Sequence, residues 1–365
     1  MKRILLFVIP VLLFFSLPVH AEDSALLQEL LQETLEEAKG LSTGDFNFPE
    51  TAEKVATGKI SLSFDSILSS LGTLFVGEIK DNIALLVKIL VLSLLAGVLC
   101  HLAPEDVGGL SAMSFLACFL SIAGLSASLI ASLTQTATET IDTMLLFMSS
   151  LMPVMSGLVL SANVVQAGFF PGLFAAMQGF CFLCRNLFLP MILVLSALTA
   201  ISSLSGRFHI GRLIEALTKL IKWGLGISLT VFVGILGLHT FTAKSAATVA
   251  GKTVKYALCN FLPLVGGVLS DSAEAVLAGM GVIRGAVGIT GMLALLTFCA
   301  APLARVLITS LLYRFAAGAI EPATDKRIVT FLEALAESIT IIFSILLMVT
   351  VMFILSLSLL CTLAF

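Results

Sequence analysis

From residue 82 onward the chain alternates long apolar runs with short polar interruptions. A helix that crosses a bilayer needs about 20 consecutive apolar residues, and the runs predict a series of such helices. Residues 82–102 form a first span with Lys88 inside it, and 109–133 a second, rich in Ser, Ala and Gly, which favours close helix packing. Residues 141–165 form a third, interrupted by Pro153. Residues 168–204 are a long, mainly apolar stretch whose one charged residue is Arg185, with Pro190 in their middle. As one helix that stretch is about 55 Å long at 1.5 Å per residue, against a hydrocarbon core of about 30 Å. Its length therefore predicts a two-span or re-entrant hairpin. Residues 205–222 read as an amphipathic basic helix carrying Arg207, Arg212, Lys219 and Lys222, and 223–243 as a further span with Trp223 at an interface position.

The pattern then returns. Met152-Pro153-Val154-Met155-Ser156-Gly157 resembles Leu262-Pro263-Leu264-Val265-Gly266-Gly267 at an offset of 110. Pro190 matches Pro302 inside 282–320 at 112; Arg212 matches Arg327, and 223–243 matches 338–360, at 115. Offsets this steady predict an internal duplication over 141–243 and 255–360. Internal repeats are common in transporter folds. A hairpin that crosses twice makes the repeats parallel and puts 205–222 on the inside, in agreement with its basic residues. A single crossing makes them inverted.

The N-terminal end differs. Residues 1–21 have a signal-peptide layout: Lys2 and Arg3, an apolar run, then Val19-His20-Ala21 as a cleavage site. Residues 22–58 carry nine acidic residues against Lys39 and Lys54, with Leu26, Leu27, Leu30, Leu31 and Leu35 at helical spacing. This predicts an acidic amphipathic helix outside the cytoplasm, docked on a partner or on the membrane domain. Residues 60–80 read as interfacial. The organisation is thus a signal peptide at 1–21, an acidic and interfacial segment at 22–80, and a multi-span domain at 81–365. The fold class is an all-α polytopic membrane helix bundle.

Composition agrees. The chain of 365 residues is 58% hydrophobic and 12% charged, with a mean hydropathy of +1.10, where a soluble domain has about 25% charged residues. Net charge is −3 without a basic block, which argues against nucleic acid as a partner. Cys181 and Cys184 form C-x-x-C inside an apolar run, where small buried hydrophobes are the better reading than a redox pair. No constellation for catalysis, cofactor or metal stands out, so the chain reads as a non-enzyme.

Polar groups within apolar runs are few: Lys88, Arg185, Asp271, Glu274, Arg284, Arg305 and Arg314. Charge at membrane depth costs roughly 2.5 kcal/mol per residue upward and marks function by default. The stretch 260–291 stands out. Pro263, Gly266 and Gly267 suggest a broken or re-entrant helix, as do Pro153, Pro190 and Pro302 elsewhere. Asp271 and Glu274 share a helix face, and a bend near Gly279 or Gly281 brings them to Arg284. Asp271, Glu274 and Arg284 are therefore the candidate conduit or coupling site. A packing ion pair and a short aqueous loop are the alternatives.

Residues 255–291 also resemble the stage III sporulation protein AE family of endospore-forming Firmicutes. The family's pattern of N-F-[IL]-P-[VL]-V-G, an acidic [ST]-D-[AS], and [LV]-[IL]-[KR]-x-[AT]-V-G falls on Asn260 to Gly266, Ser270 to Ser272 and Val282 to Gly288. Arg284-Gly285 stands where the family has Lys-Asn. The resemblance implies a polytopic, permease-like component of an assembly of stage III sporulation proteins AA to AH. That assembly lies in the mother-cell membrane around the forespore and meets stage II sporulation protein Q. A non-conducting scaffold of that complex and an independent ion-coupled transporter are the competing expectations.

Overall fold

A computed structural model describes residues 64–102, 108–162, 170–204, 210–261 and 266–362. The signal peptide, the acidic segment 22–58, the start of the interfacial segment and Pro263 lie outside the described residues. Every described regular element is helical: α1 (Phe64–Leu102), α2 (Gly108–Ala162), α3 (Phe170–Leu183), a π turn (Cys184–Phe188), α4 (Leu189–Leu204), α5 (Gly211–Phe261), α6 (Gly266–Ile320) and α7 (Lys326–Thr362). Six stretches are long and apolar enough to cross a membrane, with α3, the π turn and α4 acting as one.

The structure corrects several boundaries. The expected spans 109–133 and 141–165 are one helix of 55 residues. The polar residues between them do not break it, because they bond along the helix itself. Gln135 Nε2 donates to Glu139 Oε1, and the hydroxyls of Thr136, Thr138, Thr140 and Thr143 each donate to the carbonyl four residues back.

The hairpin expected in 168–204 is a continuous helix that widens into the π turn immediately before Pro190. A proline supplies no N–H and its ring crowds the carbonyl four residues back. The i−5 bond from Leu189 N–H to Cys184 O accommodates this. Pro153 and Pro302 likewise lie inside unbroken helices. Bundle helices absorb proline by re-satisfying the freed backbone groups through neighbours. The helix is not broken at Gly279 or Gly281, since α6 is continuous through both, with Gly266 and Gly267 as its first residues. From Gly211 onward, the basic segment and the following span are joined in α5.

Packing fixes the directions. α6 and α7 form an antiparallel hairpin whose turn ends on Asp325, and Asp325 Oδ1 accepts the Arg327 N–H at 2.8 Å as a helix N-cap. α7 is the central helix, with 67% of its apolar window buried against 22% for that of α5. α2 runs antiparallel to α6, with Phe147 edge-on to Phe298 at 5.5 Å and Gly291 against Leu151. α2 also meets the start of α7 through Phe119 and Phe331. α1 reaches the α6–α7 turn, where Gly97 abuts Ala323 and Thr324 Oγ1 donates to the Ser93 carbonyl. These contacts gather the last turns of α1, the first part of α2 and the α6–α7 turn at one end of the bundle.

Candidate functional site: polar groups at membrane depth

Two polar regions arise from this arrangement, on different sides of α6. The first is a belt at mid-length of the bundle. Arg185 lies in the π turn, near the middle of the apolar stretch Pro171–Leu204. Its Nη1 donates to Asp142 Oδ1 on α2 at 2.7 Å. Both side chains remain open to the outside, at 50% and 34% exposure. Arg305, near the middle of Gly285–Ile320, reaches Ser132 Oγ on α2 at 3.5 Å. Gln135 and Glu139 lie between them on the outward side of α2. The π turn supplies the geometry: an inserted residue re-aims the side chains beside it, and such bulges frequently mark functional positions.

The second region is a cleft of about 450 Å³ between α5, α6 and α7. Lys222, Arg314, Glu333, Glu337, Thr340 and Ser344 supply its polar lining. Lys222 Nζ pairs with Glu337 Oε1 at 2.6 Å. Arg314 Nη2 donates to Thr340 Oγ1 at 3.0 Å rather than to a carboxylate. Thr340 also shares a 2.7 Å hydrogen bond with Ser310. Arg305 and Arg314 are nine residues apart, about two and a half turns, so they leave α6 on opposite sides. The cleft therefore offers two cationic and two anionic groups to anything that enters it.

Of the polar groups singled out in the sequence, the structure places Arg185 and Arg305 in the belt, Arg314 in the cleft and Lys88 exposed on α1. Asp271, Glu274 and Arg284 all lie on α6; their side chains fall outside the described ones. Sequence reasoning missed Glu139, which fell in the gap between two expected spans, and Asp142, near the start of the expected third span. It also missed Glu333 and Glu337, which precede the expected last span. Their i, i+4 spacing on one face of the helix was the available signal. Cys181 and Cys184 are buried thiols facing the core.

The model of the stage III sporulation protein AE family matches residues 46–364. The chain belongs to that family. It is 28% identical over 228 residues to stage III sporulation protein AE of Bacillus subtilis (strain 168). That alignment covers 62% of this chain and 57% of the relative, so it spans little more than half of the relative's length. No solved structure matches the chain. Family membership implies a role in sporulation, and the apolar helices fit an integral membrane protein.

Proposed function

We propose that the chain is a permease-like or channel component of the mother-cell-to-forespore complex, acting with stage III sporulation proteins AA to AH and stage II sporulation protein Q after engulfment. It sits in the mother-cell membrane around the forespore. The signal peptide at 1–21 directs the acidic segment to the extracytoplasmic side. Three crossings then separate that segment from 205–222, which puts the basic end of α5 in the mother-cell cytoplasm.

The observation that carries this reading is the cleft between α5, α6 and α7. Four charged side chains and two hydroxyls around one opening at the basic end of membrane helices suit a path for polar solutes, which lipid alone does not provide. Asp271, Glu274 and Arg284 extend the candidate path along the same α6. The two helical pairs, α3–α4 with α5 and α6 with α7, run in the same direction. A single crossing by 168–204 was expected to make the repeats inverted; the merging of 109–133 and 141–165 into one helix removes one crossing from the unit and favours a parallel duplication instead.

The test separates conduit from scaffold. Glu333→Gln and Arg314→Gln, alone and together, keep side-chain shape close while removing charge. The conduit reading expects the variants to accumulate and to pull down their partners, while transfer of a small fluorescent solute into the forespore falls at least fivefold. Normal transfer and normal late forespore gene expression in all three would sink it in favour of the scaffold.

A further inference from the structure

We propose that the outward face of α2 is a self-association surface, occupied by α2 of a second copy of this chain. The other peripheral helices present to the outside what lipid prefers. α1 exposes Ile83, Val87, Val91, Leu94, Leu95 and Val98, and α5 exposes Leu220, Ile227, Val231 and Leu238. The outward face of α2 breaks that rule. Between Leu120 and Leu146, roughly 38 Å of helix at 1.5 Å per residue, it exposes no large hydrophobic side chain. The positions there are Ser, Gly, Ala, Thr, Gln and Glu. Ile122, Ile130, Leu133 and Ile141 point into the core, and Leu125 and Leu145 are half-buried. Lipid gains nothing from such a face, and small residues are what let membrane helices approach closely.

Three features choose a second copy as the occupant. The first is spacing. Ala117, Ser121, Gly124, Ser128, Ala131 and Gln135 are all exposed and follow one another at alternating intervals of four and three residues. That is the heptad spacing of a seam between two helices wound left-handed about each other.

The second is charge. Glu139 and Asp142 lie along the middle of the face, with Arg185 on one flank and Arg305 on the other. The set is neutral in sum and self-complementary: a copy facing it can bring a flanking guanidinium to the central carboxylates of its partner, as isologous twofold contacts require.

The third is depth. The polar belt sits at mid-length of the spans, where exposed charge is costly. A second copy in the same membrane has its own polar belt at the same depth, so Gln135 meets Gln135 and Ser128 meets Ser128 without any adjustment of register.

The experiment uses the full-length chain in its native membrane. Single cysteines replace Ser121 or Ser128 in a version freed of the seven native cysteines, and Val91→Cys on α1 serves as the lipid-face control. Oxidation with copper phenanthroline should give a band of twice the 38.5 kDa chain mass from positions 121 and 128 and none from 91. Gly124→Leu should reduce that band at least tenfold, because a Cβ at Gly124 meets nothing within its own chain and the leucine acts only on the partner. Absence of the band in protein that accumulates, or capture of a different protein in its place, overturns the proposal. Should the cysteine-free version fail to accumulate, single-molecule photobleaching of the native-sequence chain with one fluorophore decides: two steps or more support it, one step overturns it.

Discussion

Lys222 and Glu337 are joined by a 2.6 Å ion pair and lie 115 positions apart, the same offset at which Arg212 matches Arg327 along the sequence. Each stands eleven residues into its helix, α5 from Gly211 and α7 from Lys326. Parallel repeats related by an axis along the membrane normal would make such a contact, so it agrees with the duplication proposed above.

The pair is half-exposed, at 53% and 51%, so its net contribution should be modest, about 0.5–1 kcal/mol. Glu337→Lys sets two cations against each other and should lower the thermal midpoint of the purified protein. The exchanged double variant, Lys222→Glu with Glu337→Lys, should restore most of the loss. An exchanged variant no better than the single one would mean that the charges do not meet.

Arg185 and Asp142 should behave as a more costly pair, because they meet at mid-length of the spans. Removing one partner leaves a lone charge at membrane depth, a cost of roughly 2.5 kcal/mol or more, whereas removing both leaves none. Arg185→Gln and Asp142→Asn should each reduce accumulation in the membrane strongly. The double variant should accumulate better than either, with a coupling energy of about 1–3 kcal/mol. Additive losses in a stability assay would count against the pairing.

Gly97 is the position at which the turn between α6 and α7 rests on α1. A Cβ there meets the Ala323 carbonyl oxygen and lies 3.0 Å from Thr324 Oγ1. Backbone cannot step aside as a flexible side chain can, so the turn must move and the Thr324 bond to Ser93 with it. Gly97→Ala should cost about 1–3 kcal/mol, read as a lower unfolding midpoint in detergent. Gly234→Ala on α5, whose Cβ meets nothing, is the matched control and should not lower the midpoint.

What the sequence carries and what it hides divide along physical lines. Helical type and membrane character were legible because they rest on run length and composition. The continuity of α2 was not: Thr136 to Thr143 look like a polar break until their hydroxyls are seen bonding to the preceding turn. Pro190 was read as a break for the same reason, since the π turn that absorbs it has no signature of its own in the residues. Arg185, Arg305 and Arg314 were singled out by cost, which needs only depth. Their partners Asp142, Ser132 and Thr340 come from other helices, 26 to 173 positions away, and no local spacing reveals such a partner.

The same continuity bears on Glu274 and Arg284. A bend at Gly279 or Gly281 would bring them together, but α6 passes through both positions as a helix. Ten residues of helix rise about 15 Å, beyond the reach of a direct ion pair. Glu274→Gln and Arg284→Gln should therefore be independent. Their effects on accumulation and on forespore development should add, with coupling below about 0.5 kcal/mol. Water access is the companion measurement: single cysteines at Ala273 and Ala278, with Leu293 as the deep control, exposed to a small membrane-impermeant thiol reagent in sporulating cells. Labelling at 273 and 278 that also blocks development would place the α6 acids on the solute path. Strong coupling between Glu274 and Arg284 would instead require the helix to open at its glycines in the working state.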